Sequence, residues 1–428
     1  MRLLGRFIIA MVFIAGTYSL PAQETYILCG QLLDCTGETI KGNSTIVVEG
    51  NKIKSVEEGW INPPNAAKVI DLKNKTVMPG WTDMHVHIEG ESSPTRYIER
   101  FTLNKADVAL RATQYTTRTL MAGFTGVRDL GGSGVNVSLR NAIRQGYVVG
   151  PRIYTAEKGI GTTGGHADPT NGVREDLRGD PGPAEGVINS PEDARKAVRQ
   201  RYKNGADCIK ITATGGVLSV AKDGQGPQFT MEELEAIVQT AKDYGMHTAA
   251  HAHGAEGMKR AVMAGITTIE HGTFMTEEIM DLMIEKGTYY VPTISAGNFV
   301  VEKAKIEGYF PKIIVPKALT VGAQILDTFE KAQKRGVPIA FGTDTGVSPH
   351  GENAQEFELM VKGGMRPIDA ILSATITPAK ILGMEDQLGT IEAGKLADII
   401  ATDGNPLEDI SVVRKVSFVM KNGKIYKQ

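Results

Sequence analysis

The spacing of apolar and polar residues changes twice along the chain. Near the N-terminal end, short alternating stretches are separated by Gly and Asn, as in "TYILCGQLLD" and "STIVVEGNKIKSVEEG", and this pattern is typical of strands joined by hairpins. The C-terminal end has the same texture, and its Asn422-Gly423 pair indicates a tight hairpin turn. We therefore predict that residues 24–78 and 386–428 pair into one small β-sandwich made from both ends of the chain.

Between the two ends, over residues 79–385, strand-like apolar runs alternate with helical ones. Strands covered on both faces read as nearly continuous apolar runs, and eight strand–helix units are the number in a TIM barrel. We predict an α/β protein with a (β/α)₈ TIM barrel; a doubly wound open sheet is the alternative, and the polar residues at so many strand ends favour the barrel. The eight runs are "VMPGWTDMHVHIE", "FTGVRDLG", "PRIYTAEKGI", "DCIKITATGG", "HTAAHAHG", "ITTIEHGT", "TYYVPTIS" and "PIAFGTDTG".

Two of the intervening helices have clear start and stop signals. They are "SPEDARKAVRQRYKNG" and "TMEELEAIVQTAKDYG". Each begins at a Ser or Thr cap, carries acidic residues in its first turn and stops at a glycine, as helix ends in globular proteins do.

Composition agrees with one large domain plus a smaller module. The chain has 428 residues, of which 41% are apolar and 22% charged, the profile of a globular protein. Its net charge is −2, and it has no basic run interleaved with aromatic residues, so we expect no nucleic-acid partner.

The first residues have the pattern of a targeting segment. Arg2 and Arg6 precede the apolar run "FIIAMVFIAG", and small and polar residues follow it, as in a secretory signal peptide. A membrane anchor is the alternative, but the run is too short to span a bilayer comfortably. We predict a signal peptide over residues 1–23, an exported protein that is periplasmic or secreted, and no membrane contact after signal removal.

Cysteine is too sparse for a disulfide scaffold, because the chain has only Cys29, Cys35 and Cys208. A bridge between Cys29 and Cys35 stays open at this stage. Cys208 is expected to pack in a strand as a small apolar residue.

Residues that can bind metals gather at the ends of the predicted strands. In a barrel, active residues come from the C-terminal ends of several strands, and residues two apart on one strand share a face. Imidazole nitrogens and carboxylates together are suitable ligands for divalent zinc. The residues at these ends are His85, His87, Lys210, His251, His253, His271 and Asp344.

Each of these residues taken alone has an ordinary structural explanation. A His-X-His pair is often satisfied by neighbouring groups, Lys210 could extend its amine to water or pair with an acid, and Asp344 could occupy a turn. A charged lysine inside an apolar strand is costly, whereas reaction with CO₂ would convert it into an anionic carbamate with two oxygens. Because several strands supply ligand types at the same end, the pattern favours a metal site.

The order of these motifs resembles the amidohydrolase superfamily. Within it, the stretches "MPGWTDMHVH", "KITATGGVLS", "AHAHG", "GTDT" and "GTIEAGKLADII" resemble the prolidase-like, imidazolonepropionase-related group. That group includes Xaa-Pro dipeptidases, arginine carboxypeptidases and a fungal ochratoxin amidase. The resemblance runs from about Thr25 to the C-terminus.

The resemblance implies two divalent metal ions, expected to be Zn²⁺. His85, His87 and Asp344 would bind one ion, His251 and His271 would bind the other, and an N6-carboxylated Lys210 would bridge them. His251 is preferred to His253 as a ligand because the first histidine of "HAHG" matches the family position.

The resemblance also implies a reaction, which is hydrolysis of the amide bond of a dipeptide or an N-acyl amino acid. A hydroxide bridging the two metals would attack the carbonyl, and Asp344 would be the catalytic base that takes its proton and passes it to the leaving amine. The ligands alone would also permit deamination or phosphoester cleavage. The alternatives are a cyclic amide hydrolase of the imidazolonepropionase type, which export disfavours, and a non-catalytic metal-binding barrel, which would have lost a ligand.

Three further residues are assigned to the substrate. His166 in "GTTGGHADP" matches a family position that contacts the substrate, often its carboxylate; a loop histidine in a turn is the alternative, and the resemblance favours the contact with the substrate. Phe229 stands where family dipeptidases often have Tyr, which puts a classical prolidase specificity in question. His253 would lie beside the metals or near the substrate. We expect a small-molecule substrate and a homo-oligomer.

Overall fold

The computed structural model describes residues 23–65, 67–221 and 224–428. The signal peptide predicted over residues 1–23 lies outside the described residues, apart from its last residue, and export stays a prediction. In the described ranges, no helix combines the length and the apolar character needed to cross a membrane.

Strands and helices alternate along the middle of the chain, whereas its two ends consist mainly of strands. The strands are β1 (Glu24–Leu32), β2 (Ser44–Glu49), β3 (Lys52–Glu58), β4 (Lys68–Pro79), β5 (Trp81–Val86), β6 (Phe124–Asp129), β7 (Arg152–Thr155), β8 (Gly161–Thr162), β9 (Val187–Ile188), β10 (Cys208–Thr212), β11 (His247–Ala252), β12 (Thr268–His271), β13 (Tyr289–Val291), β14 (Ile399–Thr402), β15 (Val416–Lys421) and β16 (Lys424–Lys427). The helices are α1 (Arg96–Thr102), α2 (Lys105–Met121), α3 (Val135–Arg144), α4 (Glu175–Arg178), α5 (Pro191–Lys203), α6 (Met231–Asp243), α7 (Ala255–Met263), α8 (Glu277–Lys286), α9 (Ile294–Ala304), α10 (Val315–Arg335), α11 (Gln355–Lys362), α12 (Pro367–Ser373) and α13 (Ile376–Ile381), and a 3₁₀ helix covers Ile410–Arg414.

The two ends of the chain form one seven-stranded sheet in the order β16-β15-β14-β4-β1-β2-β3. They meet in the antiparallel pair of β4 and β14, in which Pro79 faces Ile399. At the β15–β16 turn, Asn422 and Gly423 have φ values of 49° and 73°, as a tight hairpin with two left-handed positions requires. The ends therefore pair with each other as expected, and the second layer of the predicted sandwich stays a prediction.

Seven of the eight predicted middle strands are present. Strands β5, β6 and β7 form a parallel three-stranded sheet, and β10 to β13 form a parallel four-stranded sheet. Parallel strands need crossover connections, and helices supply most of them here. The α/β class is therefore confirmed, while closure of the strands into one barrel stays a prediction.

The eighth predicted strand, at residues 338–346, is extended but irregular. On one side, the backbone N–H of Tyr290 donates to the carbonyl of Pro338 at 2.8 Å; on the other, the N–H of Asp344 donates to the carbonyl of His85 at 2.7 Å. Asp344 has a φ of 57°, a left-handed value that interrupts a regular strand. The segment thus lies between β13 and β5 and turns at Asp344.

The two helices with clear sequence signals begin where the sequence predicts. The Ser190 hydroxyl accepts a hydrogen bond from the backbone N–H of Asp193 at the start of α5, and Thr230 forms a reciprocal capping box with Glu233 at the start of α6. A glycine with positive φ follows the C-cap of each helix. Local capping chemistry therefore determines both ends of these helices.

Aromatic packing occupies the N-terminal ends of the first strands. Trp81 at the start of β5 lies 5.4 Å from the ring of Phe124 at the start of β6 and 4.9 Å from Phe357 of α11. These rings are fully buried. The apolar core thus fills one end of these strands, and their C-terminal ends are left to polar residues.

All three cysteines are buried free thiols. Burial raises the pKa of Cys29 and of Cys208 to about 12, so both stay protonated and poorly reactive at neutral pH. The bridge between Cys29 and Cys35 that the sequence left open is not formed.

Candidate metal centre

The C-terminal ends of several strands surround one cavity of about 380 Å³. Eight of the nine predicted site residues line it. They are His85, His87, His166, Lys210, His251, His253, His271 and Asp344. We refer to six of these, His85, His87, Lys210, His251, His271 and Asp344, as the ligand cluster.

The Asp344 carboxylate faces His85 of β5 and His87, which directly follows that strand; we call these two the β5 histidines. Its Oδ1 lies 3.5 Å from Nε2 of His85 and 3.4 Å from Nε2 of His87. Within the described part of the chain, this buried oxygen has no hydrogen-bond partner. One ligand atom each from His85, His271 and Asp344 lies within 4.8 Å of the other two. A buried, unpartnered carboxylate oxygen that faces imidazole nitrogens is the arrangement that a divalent cation would satisfy.

Hydrogen bonds on the outer nitrogens orient the β5 histidines. Nδ1 of His87 lies 2.8 Å from the carbonyl oxygen of Gly131, and Nδ1 of His85 lies 2.9 Å from the Glu270 carboxylate. A carbonyl and a carboxylate can only accept, so in each ring the proton is on Nδ1 and the lone pair is on Nε2. Both lone pairs therefore point towards Asp344, as in metal sites whose ligands are held by outer partners.

The histidines of β11 and β12 are oriented in the same way. Nε2 of His251 donates to the carbonyl of Gly215 at 3.1 Å, which leaves the lone pair on Nδ1. Nδ1 of His271 bonds to the Thr293 hydroxyl at 2.8 Å. The two rings are 4.7 Å apart, close enough to share one ion.

Three of the six described non-glycine residues with positive φ lie at the same place. His271, Thr293 and Asp344 have φ values of 69°, 53° and 57°, a left-handed region that residues other than Gly rarely adopt. Strain of this kind persists where surrounding structure enforces it, and it recurs at functional sites.

Burial keeps the imidazoles neutral. It lowers the pKa of His87 to about 3 and moves the pKa of His85, His251 and His271 well below its usual value, because a protonated ring loses its hydration. Neutral imidazole is the form that binds metal. The contacts between these histidines and Asp344 are therefore not ion pairs, and the donor set fits a cation.

Lys210 points into the same cluster from the middle of β10. Its Nζ lies 3.5 Å from Nε2 of His85, and the residue is almost fully buried. Burial lowers the pKa of Lys210 and raises that of Asp344, since each charged form loses its solvation. The amine is thereby shifted towards its neutral, nucleophilic form.

His166 and His253 border the ligand cluster. The His166 ring stacks on His251 at 4.3 Å, and a Cβ on Gly216 would come within 2.2 Å of that ring. Glycine at 216 therefore makes room for the imidazole. His253 lies 5.0 Å from the ring of His271, and its Nδ1 bonds to the Thr273 hydroxyl at 2.8 Å.

The structure does not bring Phe229 to the cavity. Its ring packs in the main apolar core, and its carbonyl accepts a hydrogen bond from Arg260 at 3.2 Å. A phenylalanine here meets a need for apolar packing, and its predicted contact with the substrate finds no support in the cavity lining.

Sequence reasoning missed the groups that hold the ligands. Glu270 bonds to His85 and pairs with the buried Arg128 at 2.9 Å, while Gly131, Gly215 and Thr293 come from distant loops. Glu270 directly precedes His271 on β12, so alternation along the strand predicts that these two side chains point to opposite faces. The backbone partners leave no such signal.

Comparisons with known proteins agree with this geometry. The sequence profile described as "Amidohydrolase family" matches residues 76–426. Ochratoxinase of Aspergillus niger is 32% identical over 425 residues, which cover 95% of this chain and 87% of that protein.

Solved structures resemble the chain over almost its whole length. The crystal structure of a Xaa-Pro dipeptidase with methionine bound in its active site is 55% identical, with a TM-score of 0.93, and the match covers 95% of this chain and 100% of that one. A prolidase complexed with N-methylphosphonate-L-proline is 33% identical, with a TM-score of 0.85 and coverage of 95% and 100%. The chain belongs to the amidohydrolase family, in its prolidase-like group, and is a hydrolase that acts on amide C–N bonds.

Proposed function

We propose that the protein is an exported, binuclear metal-dependent amidohydrolase that cleaves the amide bond of a dipeptide or an N-acyl amino acid. The observation that carries this proposal is the ligand cluster, in which the lone pairs of neutral histidines and one unpartnered carboxylate oxygen converge on a single cavity. The names of its relatives, a Xaa-Pro dipeptidase, a prolidase and an ochratoxinase, support the choice of substrate class.

Two zinc ions suit this donor set. Imidazole nitrogen combined with carboxylate oxygen is a ligand combination that zinc accepts. His85, His87 and Asp344 would hold one ion and His251 and His271 the other. Lys210, carboxylated on Nζ, would supply an oxygen to each ion, and its buried position beside His85 supports that role.

We assign the movement of the proton to Asp344. Metal ions bound at such a site polarise the scissile carbonyl and lower the pKa of the attacking water. A carboxylate has two oxygens, so Asp344 could bind a metal with one oxygen and accept the proton of that water with the other. The same carboxyl group would then hold the proton and deliver it to the leaving amine.

We extend the proposal to the whole architecture, with a sandwich part at 24–78, a barrel at 79–385 and a second sandwich part at 386–428. Hydrogen bonds across the gaps between the two parallel sheets support closure of a barrel. The N–H of Asp207 donates to Thr155 at 2.7 Å between β10 and β7, and residues 338–346 bond to both β13 and β5.

A homo-oligomer also belongs to this proposal. Ile98 and Phe101 of α1 and Leu110 of α2 are 61%, 57% and 71% exposed. Large exposed apolar side chains are common at contacts between subunits. The substrate itself is a small molecule, as the size of the cavity suggests.

Metal analysis combined with a substrate panel tests the activity. The chain is expressed with its N-terminal segment in a bacterial host, recovered from the periplasm, and its N-terminus and zinc content are measured. We expect cleavage near residue 23, about two zinc ions per chain, and hydrolysis of dipeptides or N-acyl amino acids. A metal-loaded protein that cleaves no member of either class would contradict the proposal.

A further inference from the structure

We propose that the cavity contains a subsite for a bulky apolar substituent of the substrate, and this inference rests on the proposed amide hydrolysis. We call the surface that forms it the apolar wall. It consists of Val217, Leu218, Ala296, Gly297, Val300, Val321, Ile325 and Val347. The chemical class that it selects is an amide in which one of the two joined residues carries a large aliphatic or aromatic group.

The apolar wall is backed by a packed cluster rather than by solvent. Ala296 and Val300 of α9 and Val321 of α10 are each 5% exposed, and they share a cluster with Phe310 and Ile314. Close-packed interiors resist small displacements. The wall therefore keeps its shape when a substrate enters.

Two glycines set the distance between the helices of the wall. A Cβ on Gly322 of α10 would lie 2.6 Å from the carbonyl oxygen of Gly297 of α9 and 2.2 Å from a methyl group of Val301. A Cβ on Gly297 would lie 2.8 Å from Ile325. The backbones thus approach closely where no side chain separates them, and the neighbouring side chains are left to face the cavity.

The wall begins directly beside the ligand cluster. Helix α9 starts after Thr293, the residue that bonds to His271, and its first N–H groups donate to the buried Glu356 carboxylate at 2.7 and 2.8 Å. On the other flank, the N–H of Val347 donates to the carbonyl of Asp344 at 2.9 Å. A substrate whose scissile carbonyl lies at the cluster can therefore place a neighbouring side chain on the wall.

The wall itself offers no partner to a polar occupant. Among the described residues that line the cavity, the charged side chains are Asp344 and Lys210 of the ligand cluster and Arg96, and none of them belongs to the wall. The side chains of the wall contain no hydrogen-bonding atom. A charged or hydroxylated side chain would lose its hydration there without a partner, whereas an aliphatic or aromatic group gains by burial.

Two dipeptide series test the subsite. The first series is Xaa-Pro, in which the N-terminal residue Xaa is Gly, Ala, Leu, Phe or Glu. The second series is Leu-Yaa, in which the C-terminal residue Yaa is one of the same five. For the zinc-loaded wild type, kcat/KM is expected to rise at least about tenfold from Ala to Leu or Phe in one of the series, since each methylene in a well-packed pocket contributes about tenfold or more. Glu at that position should be cleaved worst.

Variants assign this preference to the wall. Ala296→Phe should fill the subsite and remove the rise of kcat/KM with side-chain size. Val300→Ala should enlarge it and shift the preference towards Phe. Val301→Ala is the matched control, because Val301 lies on the same helix but packs against Gly322. It should leave the kcat/KM ratios between large and small substrates unchanged.

Binding separates this inference from the proposed reaction. The thermal shift of the zinc-loaded protein is measured with L-leucine, L-phenylalanine and glycine. If leucine and phenylalanine give larger thermal shifts than glycine, and this difference disappears in Ala296→Phe, the subsite is supported even when no dipeptide is cleaved. Absence of cleavage would overturn the proposed reaction but not the subsite. Equal thermal shifts for all three amino acids, together with the same kcat/KM across each dipeptide series, would overturn the subsite. A size preference that is unchanged in both Ala296→Phe and Val300→Ala would overturn it as well.

Discussion

The ligand cluster and the apolar wall border the same cavity but are built in different ways. The ligand cluster takes single side chains from several strand ends, and each histidine is held by a hydrogen bond on its outer nitrogen. The apolar wall takes most of its residues from two consecutive helices, which are held by van der Waals contact. Hydrogen bonds are directional, so they orient lone pairs; apolar packing is not, so it defines shape.

The comparison shows that metal binding and substrate selectivity depend on different parts of the cavity. Backbone strain appears at His271, Thr293 and Asp344, around the ligand cluster. The apolar wall, in contrast, relies on the absence of side chains at Gly297 and Gly322. Changes to the cluster should therefore affect metal binding and rate, and changes to the wall should affect stability and selectivity.

Removal of metal should have the largest effect on activity, and this effect should come from the ligand cluster and not from the apolar wall. Dialysis against a strong chelator is expected to abolish hydrolysis and to lower Tm, because an ion present at about 100 times its Kd stabilises the fold by about 2.7 kcal/mol. Added zinc should restore both. Chelator saturated beforehand with zinc is the control, and full activity in metal-free protein would contradict the role of the cluster.

Asp344→Asn should come next. The amide cannot accept the proton of the attacking water, and we expect kcat to fall about 10²- to 10⁴-fold, the usual contribution of a general base. The ratio of kcat/KM between large and small apolar substrates should stay the same, because the wall is intact. Asp403→Asn, which changes an exposed carboxylate directly after β14, is the control. An Asp344→Asn enzyme with wild-type kcat would exclude the role of Asp344 as the base.

Glu270→Gln should weaken metal binding while the ligands themselves remain. Gln keeps the size of Glu but loses the charge that accepts from Nδ1 of His85 and pairs with Arg128. Loss of such an outer partner typically costs about 10- to 100-fold in metal affinity, measurable by competition with a zinc-binding dye. If Tm of the metal-free protein falls while zinc affinity stays unchanged, Glu270 has a structural role only.

Gly322→Ala should have the smallest effect on chemistry and act on the wall alone. The added methyl group meets Val301 and the carbonyl of Gly297, and overpacking of this kind costs about 1–3 kcal/mol. Denaturant unfolding should show that loss, with zinc affinity unchanged. Stability equal to wild type would mean that the two helices are not in the close contact described.

Much of the fold could be predicted from local patterns. The caps at Ser190 and Thr230 and the turn at Asn422-Gly423 depend on neighbouring residues, and all three are present as predicted. The eighth strand was predicted less well, because the left-handed Asp344 that interrupts it is forced by tertiary contacts. A strand pattern carries no sign of that strain.

The candidate site divides in the same way. Alternation along β5 and β11 indicated which histidines share a face, and eight of the nine predicted residues line one cavity. Phe229 does not, since burial in the core depends on packing that one sequence does not reveal. The apolar wall was missed as well, because the side chains of α9 and α10 read as ordinary helix core.

By itself the sequence determined the kinds of elements, the pairing of the chain ends and the residues able to bind metal, because periodicity, capping and ligand chemistry are local properties. Only the tertiary structure decided which nitrogen of each histidine faces the cavity, which carboxylate oxygen is left without a partner and where the apolar wall lies. Those outcomes depend on the carbonyl of Gly131, the carboxylate of Glu270 and the close contact of Gly297 with Gly322. Each is a contact between residues that only folding brings together.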